Sequence, residues 1–333
     1  LAHLKSFPNP SKKRAPENKR AIARSLAATS KGSCSQRDPG RIISKLGNWA
    51  HYIEILNSSG SVIVIDDISK RFGGISAVDH CSFRIETGRI TGLIGPNGAG
   101  KTTLFNIIAG FVRPSSGRIW LDGEDITGLP PHHLFRRGLV RTFQIPREFG
   151  RMTVLENLMV VPPQQVGENL FNAWFRWRRV QRQERNLQAR AEEVLQRLNL
   201  IHLRDQLAAT LSGGQKKLLE LGRTLMTDAR VILLDEPGAG VNRTLLADLM
   251  RFIEYLNRER GCTFCIIEHD LDLVTRLCDH VVVMAAGRVL TQGSMEEIKQ
   301  NPAVREAYLG SVALSDSLSP SKPSSLPSEG SLS

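Results

Sequence analysis

A chain of 333 residues, 41% hydrophobic and 23% charged, has room for one large or two small domains and can bury a real core. No apolar run approaches the ~18 residues a membrane span needs; the longest are Val281 to Ala286 and Val231 to Leu234, so any membrane path belongs to another chain. The net charge of +11 invites a nucleic-acid reading, but residues 1–60 hold eleven Lys/Arg against three acids, or +8, leaving +3 for residues 61–333.

Residues 1–60 show little periodicity before Trp49-Ala50-His51-Tyr52-Ile53 and are expected to be a disordered or spurious extension. Many bases, many Ser and few acids also describe a transit peptide, and the first residue is Leu, not Met. From Ser61 strands and helices alternate. Ser61 to Ile65 and Cys81 to Ile85 are predicted strands, Arg89 to Ile94 a strand feeding a glycine-rich loop, and Arg118 to Leu121 a continuation of the first sheet region. Between Gln144 and Val231 there is almost no strand signal, which predicts a helical subdomain over about 145–230. Val231 to Leu234, Cys262 to Ile267, His280 to Met284 and Arg288 to Thr291 are later strands. Thr244 to Arg258 is an amphipathic helix with Leu245, Leu246, Leu249, Ile253 and Leu256 on one face. Globular structure is expected over 61–310, because the Ser/Pro-rich stretch 311–333 cannot bury enough apolar surface to offset ordering entropy. The pattern predicts an α/β nucleotide-binding core, a mixed sheet with flanking helices, interrupted by the helical subdomain.

Cys34, Cys81, Cys262, Cys265 and Cys278 offer no disulfide framework, which fits a reducing compartment. Cys262 and Cys265 have metal-site spacing, but there is no second pair and the stretch reads as a buried strand, where Cys acts as a small hydrophobe.

Three motifs carry the chemistry. Gly95-Pro96-Asn97-Gly98-Ala99-Gly100-Lys101-Thr102 fits the phosphate-loop pattern between a strand and a helix. Its glycines turn backbone N–H groups toward phosphate oxygens, and the helix N-terminus adds its positive dipole end. Lys101 is expected on the β- and γ-phosphates, the Thr102 hydroxyl on Mg²⁺, and Thr103 on a phosphate. Asp235-Glu236 ends an apolar strand; Asp235 is expected to hold Mg²⁺ directly or through water, and Glu236 to orient and deprotonate the attacking water. Leu211-Ser212-Gly213-Gly214-Gln215 opens a helix, with Ser212 as N-cap and two glycines that permit close approach of a ligand.

A phosphate loop, then LSGGQ, then an acidic strand end is an order that resembles the ATP-binding cassette (ABC) ATPases. The resemblance implies that Gln144 touches Mg²⁺ and the attacking water and links to the transporter. It implies that His269 contacts the γ-phosphate and that Phe72 stacks on adenine, a core Phe being the other reading of that residue. It also implies that Ser212, Gly213, Gly214 and Gln215 bind ATP held by a second cassette, so that ATP bridges a dimer. Gly238-Ala239-Gly240-Val241-Asn242 departs from the Ser-Ala-Leu-Asp of many relatives, which leaves Asn242 open as a cross-subunit contact.

Phe72-Gly73-Gly74, Leu104-Phe105-Asn106, Gly128-Leu129-Pro130-Pro131-His132, Gly138 to Gln144, Met152 to Leu158, Ala239 to Asn242 and Arg305 to Gly310 narrow the likeness to LivG-type ATPases of bacterial branched-chain amino acid importers. It covers about Val62 to Gly310. It implies ATP and Mg²⁺ as cofactors, a LivF-like second ATPase, two membrane permeases, a periplasmic binding protein, and a place on the cytoplasmic face of the inner membrane. Relatives import other small amides or export lipids. A nucleic-acid-associated ABC protein, suggested by the basic balance, and a non-hydrolysing scaffold are the other function classes; a single cassette argues against the first, Glu236 and His269 against the second.

Asn169 to Arg190 exceeds a minimal cassette. It sets Phe171, Trp174, Phe175 and Trp177 among Arg176, Arg178, Arg179, Arg182 and Arg185, followed by a helical face of Leu187, Ala191, Val194, Leu195 and Leu198. Either the basic side is simply solvated, or the aromatic-basic end meets a permease or anionic lipid.

Overall fold

A computed structural model describes residues 61–142, 148–163, 165–168, 174–227 and 229–308. The expected N-terminal extension, the Ser/Pro-rich tail and Gln144 lie outside the described residues.

The chain enters as a long hairpin, β1 (Ser61–Phe72) and β2 (Ile75–Glu86), paired antiparallel. Each strand is 12 residues, longer than the five read from Ser61 to Ile65 and from Cys81 to Ile85. A break in register between Ile65 and Ile68, with Asp67 at φ 52° and His80 at φ 51°, disrupts the apolar alternation and hid the continuation. His80 Nδ1 lies 2.6 Å from Asp67 Oδ1, and the hydrogen bond to that carboxylate holds the imidazole pKa above its usual value. β1 also pairs with β4 (Ser116–Leu121), and β5 (Glu124–Asp125) completes a four-stranded antiparallel sheet in the order β2-β1-β4-β5.

A six-stranded mixed sheet holds β3 (Ile90–Ile94), β6 (Leu139–Arg141), β7 (Val231–Asp235), β8 (Thr263–Ile267), β9 (His280–Ala285) and β10 (Arg288–Gly293), in the order β10-β9-β3-β8-β7-β6. Only the β9–β10 pair is antiparallel. β3, β7 and β8 are buried along their whole length, as expected of parallel strands covered on both faces. β6, three residues long, is too short to show a period in the sequence.

The flanking helices are α1 (Lys101–Ile108) and α2 (Pro131–Arg136), then α3 (Val154–Met159), α4 (Trp177–Arg197) and α5 (Gly213–Leu225), then α6 (Arg243–Arg260), α7 (Leu271–Leu277) and α8 (Met295–Gln300). α3, α4 and α5 fall between β6 and β7, where the described residues form no strand. One apolar cluster joins the two sheets through α1, with Ile63, Phe83, Phe105, Leu233 and Ile267. A second joins α3–α5 to α6 and to β7 and β8, with Leu158, Leu195, Leu219, Phe252 and Phe264. Burying each such side chain stabilises the fold by roughly 1.5–3 kcal/mol. Helices α4 and α5 meet closely at Gly222, where a Cβ would stand 2.7 Å from Leu198 Cδ1 and 3.2 Å from Val194 Cγ1. α3 opens with a capping box between Thr153 and Glu156. The fully buried Asn157 amide ties α3 to Phe149, accepting from its N–H at 2.9 Å and donating to its carbonyl at 3.1 Å.

Candidate nucleotide-binding site

The carboxyl ends of β3, β8 and β7, three neighbours in the parallel sheet, deliver the motif residues to one rim. Ligands of open α/β sheets bind at such a rim. β3 runs into the loop from Gly95 to Gly100, β7 ends on Asp235, and β8 is followed by Glu268 and His269.

Two loop glycines are dictated by their surroundings. Gly95 has φ 149°, and a Cβ there would lie 2.1 Å from the Met284 carbonyl oxygen of β9. Gly100 has φ 94°, and its Cβ would lie 2.3 Å from the Ala77 carbonyl oxygen of β2. Gly98 also has a positive φ, 78°, but faces open space. The turn closes with the Ala99 N–H donating to the Pro96 carbonyl at 3.2 Å, and Asn97 and Gly98 are exposed at its tip. The Tyr308 hydroxyl is hydrogen-bonded to the Gly95 backbone; burial raises its pKa. Nothing local in the sequence signals that contact, since the two residues are far apart in the chain.

Lys101 is buried at the first position of α1 and donates from Nζ to the carbonyls of Gly95 at 2.7 Å and Pro96 at 2.9 Å. Burial lowers its pKa, and the carboxylates of Glu236 and Asp235 pull the other way. Thr102 is exposed and Thr103 half-buried beside it. Phe72, at the end of β1, is 51% exposed with Lys70 Nζ 5.0 Å from its ring centroid, so the core reading of this residue is wrong.

Asp235 forms a buried ion pair, its Oδ2 accepting from Arg141 Nη2 at 2.7 Å with the side chains 3% and 6% exposed. Arg141 also donates to Asn106 Oδ1 at 2.6 Å. Asp235 Oδ1 is buried without a hydrogen-bond partner among the described residues. Glu236 has a left-handed backbone, φ 50°, of the strained kind found at functional sites. His269 Nε2 lies 3.1 Å from Glu236 Oε1.

Two further residues grip the turn after Glu236. Lys217, in α5, donates from Nζ to the carbonyls of Glu236 at 2.9 Å and Ala239 at 2.5 Å. Glu268 is buried; its Oε1 accepts from the Gly238 N–H at 2.6 Å and its Oε2 from the His269 N–H at 3.1 Å. Burial raises the Glu268 pKa against these bonds and the Lys217 charge. No local pattern in the sequence signals either role, because the contacts span 19 and 30 positions.

Ser212 caps α5, accepting from the Gln215 N–H at 3.3 Å, while Gln215 Oε1 accepts from the Ser212 N–H at 2.9 Å. Gly213 faces open space. At Gly214 the need for glycine is internal, because a Cβ would stand 2.7 Å from Leu245 Cδ1 of α6. Ser212 and Gln215 spend the bonds of their capping box on each other, and Lys101 spends its own on the Gly95 and Pro96 carbonyls. Asn242 caps α6, its Oδ1 accepting from the Leu245 N–H at 2.9 Å. The expected strand around Cys265 is present, with Cys262 and Cys265 buried and the Cys262 thiol pushed up to about 11 by desolvation. No described helix is long and apolar enough to cross a membrane.

A family model described as ABC transporter matches residues 78–239, and one described as branched-chain amino acid ATP-binding cassette transporter matches residues 288–313. The chain is 44% identical over 251 residues to a probable branched-chain amino acid transport ATP-binding protein LivG of Archaeoglobus fulgidus, covering 75% of this chain and 95% of that one. It is 41% identical over 252 residues to the high-affinity branched-chain amino acid transport ATP-binding protein BraF of Pseudomonas aeruginosa, covering 76% and 99%. A solved ATP-binding cassette of an ABC transporter, in its ADP conformation, superposes with a TM-score of 0.64 at 38% identity, covering 75% of this chain and 99% of that one. With this fold, this rim of motif residues and these relatives, the chain belongs to the ABC transporter ATP-binding proteins, in the LivG/BraF family of branched-chain amino acid transport.

Proposed function

We propose that the chain hydrolyses ATP to drive import of branched-chain amino acids, working at the cytoplasmic face of the bacterial inner membrane. Its partners in this reading are a LivF-like ATPase, two permeases and a periplasmic binding protein. The observation that carries the enzymatic part is the meeting of Lys101, Asp235 and the Glu236–His269 pair at one sheet rim.

In this reading the loop amides and Lys101 hold the phosphates, Lys101 exchanging its two carbonyl acceptors for phosphate oxygens. Phe72 lies against the adenine. The residues fit magnesium: Thr102 presents an exposed hydroxyl, and Asp235 Oδ1 is a buried oxygen with unused lone pairs, the hard donors this ion takes, directly or through water. Bound there, the ion neutralises charge on the β- and γ-phosphates. Gln144, outside the described residues, is assigned to the same ion and to the permease link. Glu236 accepts the proton of the attacking water, and His269, whose Nε2 lies 3.1 Å from Glu236 Oε1, turns that nitrogen to donate to a γ-phosphate oxygen once ATP is bound. Ser212, Gly213, Gly214 and Gln215 complete the ATP site of the partner, so ATP favours the closed dimer by differential affinity and its hydrolysis reopens it.

Glu236→Gln keeps the shape of the site and removes the base. ATP binding should persist while turnover falls by about 10²–10⁴-fold; turnover at the original rate would overturn the assignment. The cargo reading is supported by the match over residues 288–313 and by the names of the relatives. Reconstitution with the permeases of a branched-chain amino acid importer should give ATP-dependent uptake of labelled leucine or valine; uptake of a small amide alone would redirect it.

A further inference from the structure

We propose that the start of α4 and the residues just before it form a docking surface for an anionic lipid bilayer, separate from any hold the permeases provide. Trp174, Phe175 and Trp177 are 84%, 71% and 58% exposed, a cluster of aromatics within four positions. Around them, residues 176–185 carry Arg176, Arg178, Arg179, Arg182 and Arg185 against a single acid, Glu184, a net of +4. Residues 61–333 carry only +3 net, so the rest of that span is −1 net and this segment accounts for its whole net positive charge.

The five arginines are exposed, and none forms an ion pair among the described residues. Arg178, Arg182 and Arg185 recur at i, i+4 and i+7 and share one helical face spanning roughly 10 Å. The opposite side is anchored. Val180 is buried against the turn at Gly167, and Gln183 Oε1 accepts from the Val166 N–H at 2.7 Å. Farther along, Ala191, Val194 and Leu195 are buried and Arg190 donates to the Leu225 carbonyl at 2.6 Å. The helix is thus fixed by its later turns and presents a rigid edge of aromatic rings and guanidinium groups.

That pairing suits the lipid headgroup layer. Indole rings partition to the interface, and basic side chains are drawn to anionic headgroups. Each arginine near such a surface strengthens binding about fivefold, so three removed together should weaken it by roughly 100-fold.

The test uses the full chain and sedimentation with two vesicle types, phosphatidylcholine alone and phosphatidylcholine mixed with phosphatidylglycerol. The protein should bind the phosphatidylglycerol vesicles, lose binding at high salt, and show blue-shifted tryptophan emission. The triple variant Arg178→Gln, Arg182→Gln, Arg185→Gln should bind about 100-fold more weakly, and Trp174→Ala with Trp177→Ala should abolish the emission shift. Nucleotide binding should be unchanged in both, which keeps this test separate from the ATPase reading. Equal binding to both vesicle types would overturn the proposal. So would undiminished binding by the triple variant, which would place the attraction elsewhere, including the basic residues 1–60. Loss of permease association in detergent with vesicle binding intact would reassign the surface to a protein contact and equally overturn it.

Discussion

Replacing Arg141 by methionine should leave Asp235 as an uncompensated carboxylate inside the sheet. The two side chains are 6% and 3% exposed and meet at 2.7 Å. Removing one partner of such a pair costs about 3–5 kcal/mol, because the remaining charge cannot be resolvated. Arg141 also donates to Asn106 Oδ1, and losing that bond adds about 1 kcal/mol. Methionine keeps part of the aliphatic stem, so the packing loss beside Phe105 and Phe111 is small. The sum, about 4–6 kcal/mol, is a large share of the ~5–15 kcal/mol typical of a folded domain. Urea unfolding should show a lower midpoint with little change in slope. The double variant Arg141→Met, Asp235→Asn removes both charges and should recover at least about 2 kcal/mol relative to additivity. A single-variant loss below about 1 kcal/mol, or an additive cycle, would mean that Asp235 draws its compensation from elsewhere, and the reasoning fails.

Gly100→Ala forces a Cβ to 2.3 Å from the Ala77 carbonyl at a φ of 94°, so it should lower the melting temperature and abolish nucleotide binding. Gly213→Ala meets open space and should leave the melting temperature within error; a marked fall would mean that the position is packed against a neighbour. Lys217→Met removes two charge-assisted bonds to the Glu236 and Ala239 carbonyls, and should lower kcat at least tenfold while leaving the affinity for ATP in place; Lys217→Arg should restore part of it, and an unchanged kcat would remove Lys217 from the machinery. Glu268 has a folded pKa raised by burial, so the native state binds its proton more tightly than the unfolded chain does. Its contribution to stability therefore falls as pH rises from the unfolded value toward the folded one. The stability of the native protein minus that of Glu268→Gln should grow as pH is lowered through this window, and a flat or declining difference would contradict the assignment.

The phosphate loop was legible because its chemistry is written in backbone terms: glycines where φ is positive, a lysine at the helix start. The parallel strands were legible because burial on both faces demands continuous apolar runs, as in Val231 to Leu234. The hairpin was legible only in part, since the irregularity at Asp67 and His80 breaks the period on which strand reading depends. What stayed hidden is long-range and polar. Lys216 and Lys217 are adjacent and chemically alike, yet one pairs with Glu148 at 2.7 Å and the other reaches the carbonyl of Glu236. The rotation of about 100° between neighbours on a helix sends them to different surroundings, which no local pattern records. Arg141 read as part of a motif, but its partner Asp235 lies 94 positions on, and only the adjacency of β6 and β7 brings them together.

The seating of the glycine loop has a bearing on the life of the protein in the cell. The loop is wedged between the Ala77 carbonyl of the antiparallel sheet and the Met284 carbonyl of the mixed sheet, and the Ala99 carbonyl accepts from Gly287 N–H at 3.2 Å. The hairpin cannot peel away without loosening the phosphate cradle. A bound nucleotide at a hundredfold excess over its Kd adds about 2.7 kcal/mol against any opening that destroys its site, and that protection extends to β1 and β2. ATP is thereby a guard against proteolysis as well as a fuel. When its concentration falls, amide exchange and the first protease cuts should both rise in the stretch from Ser61 to Glu86.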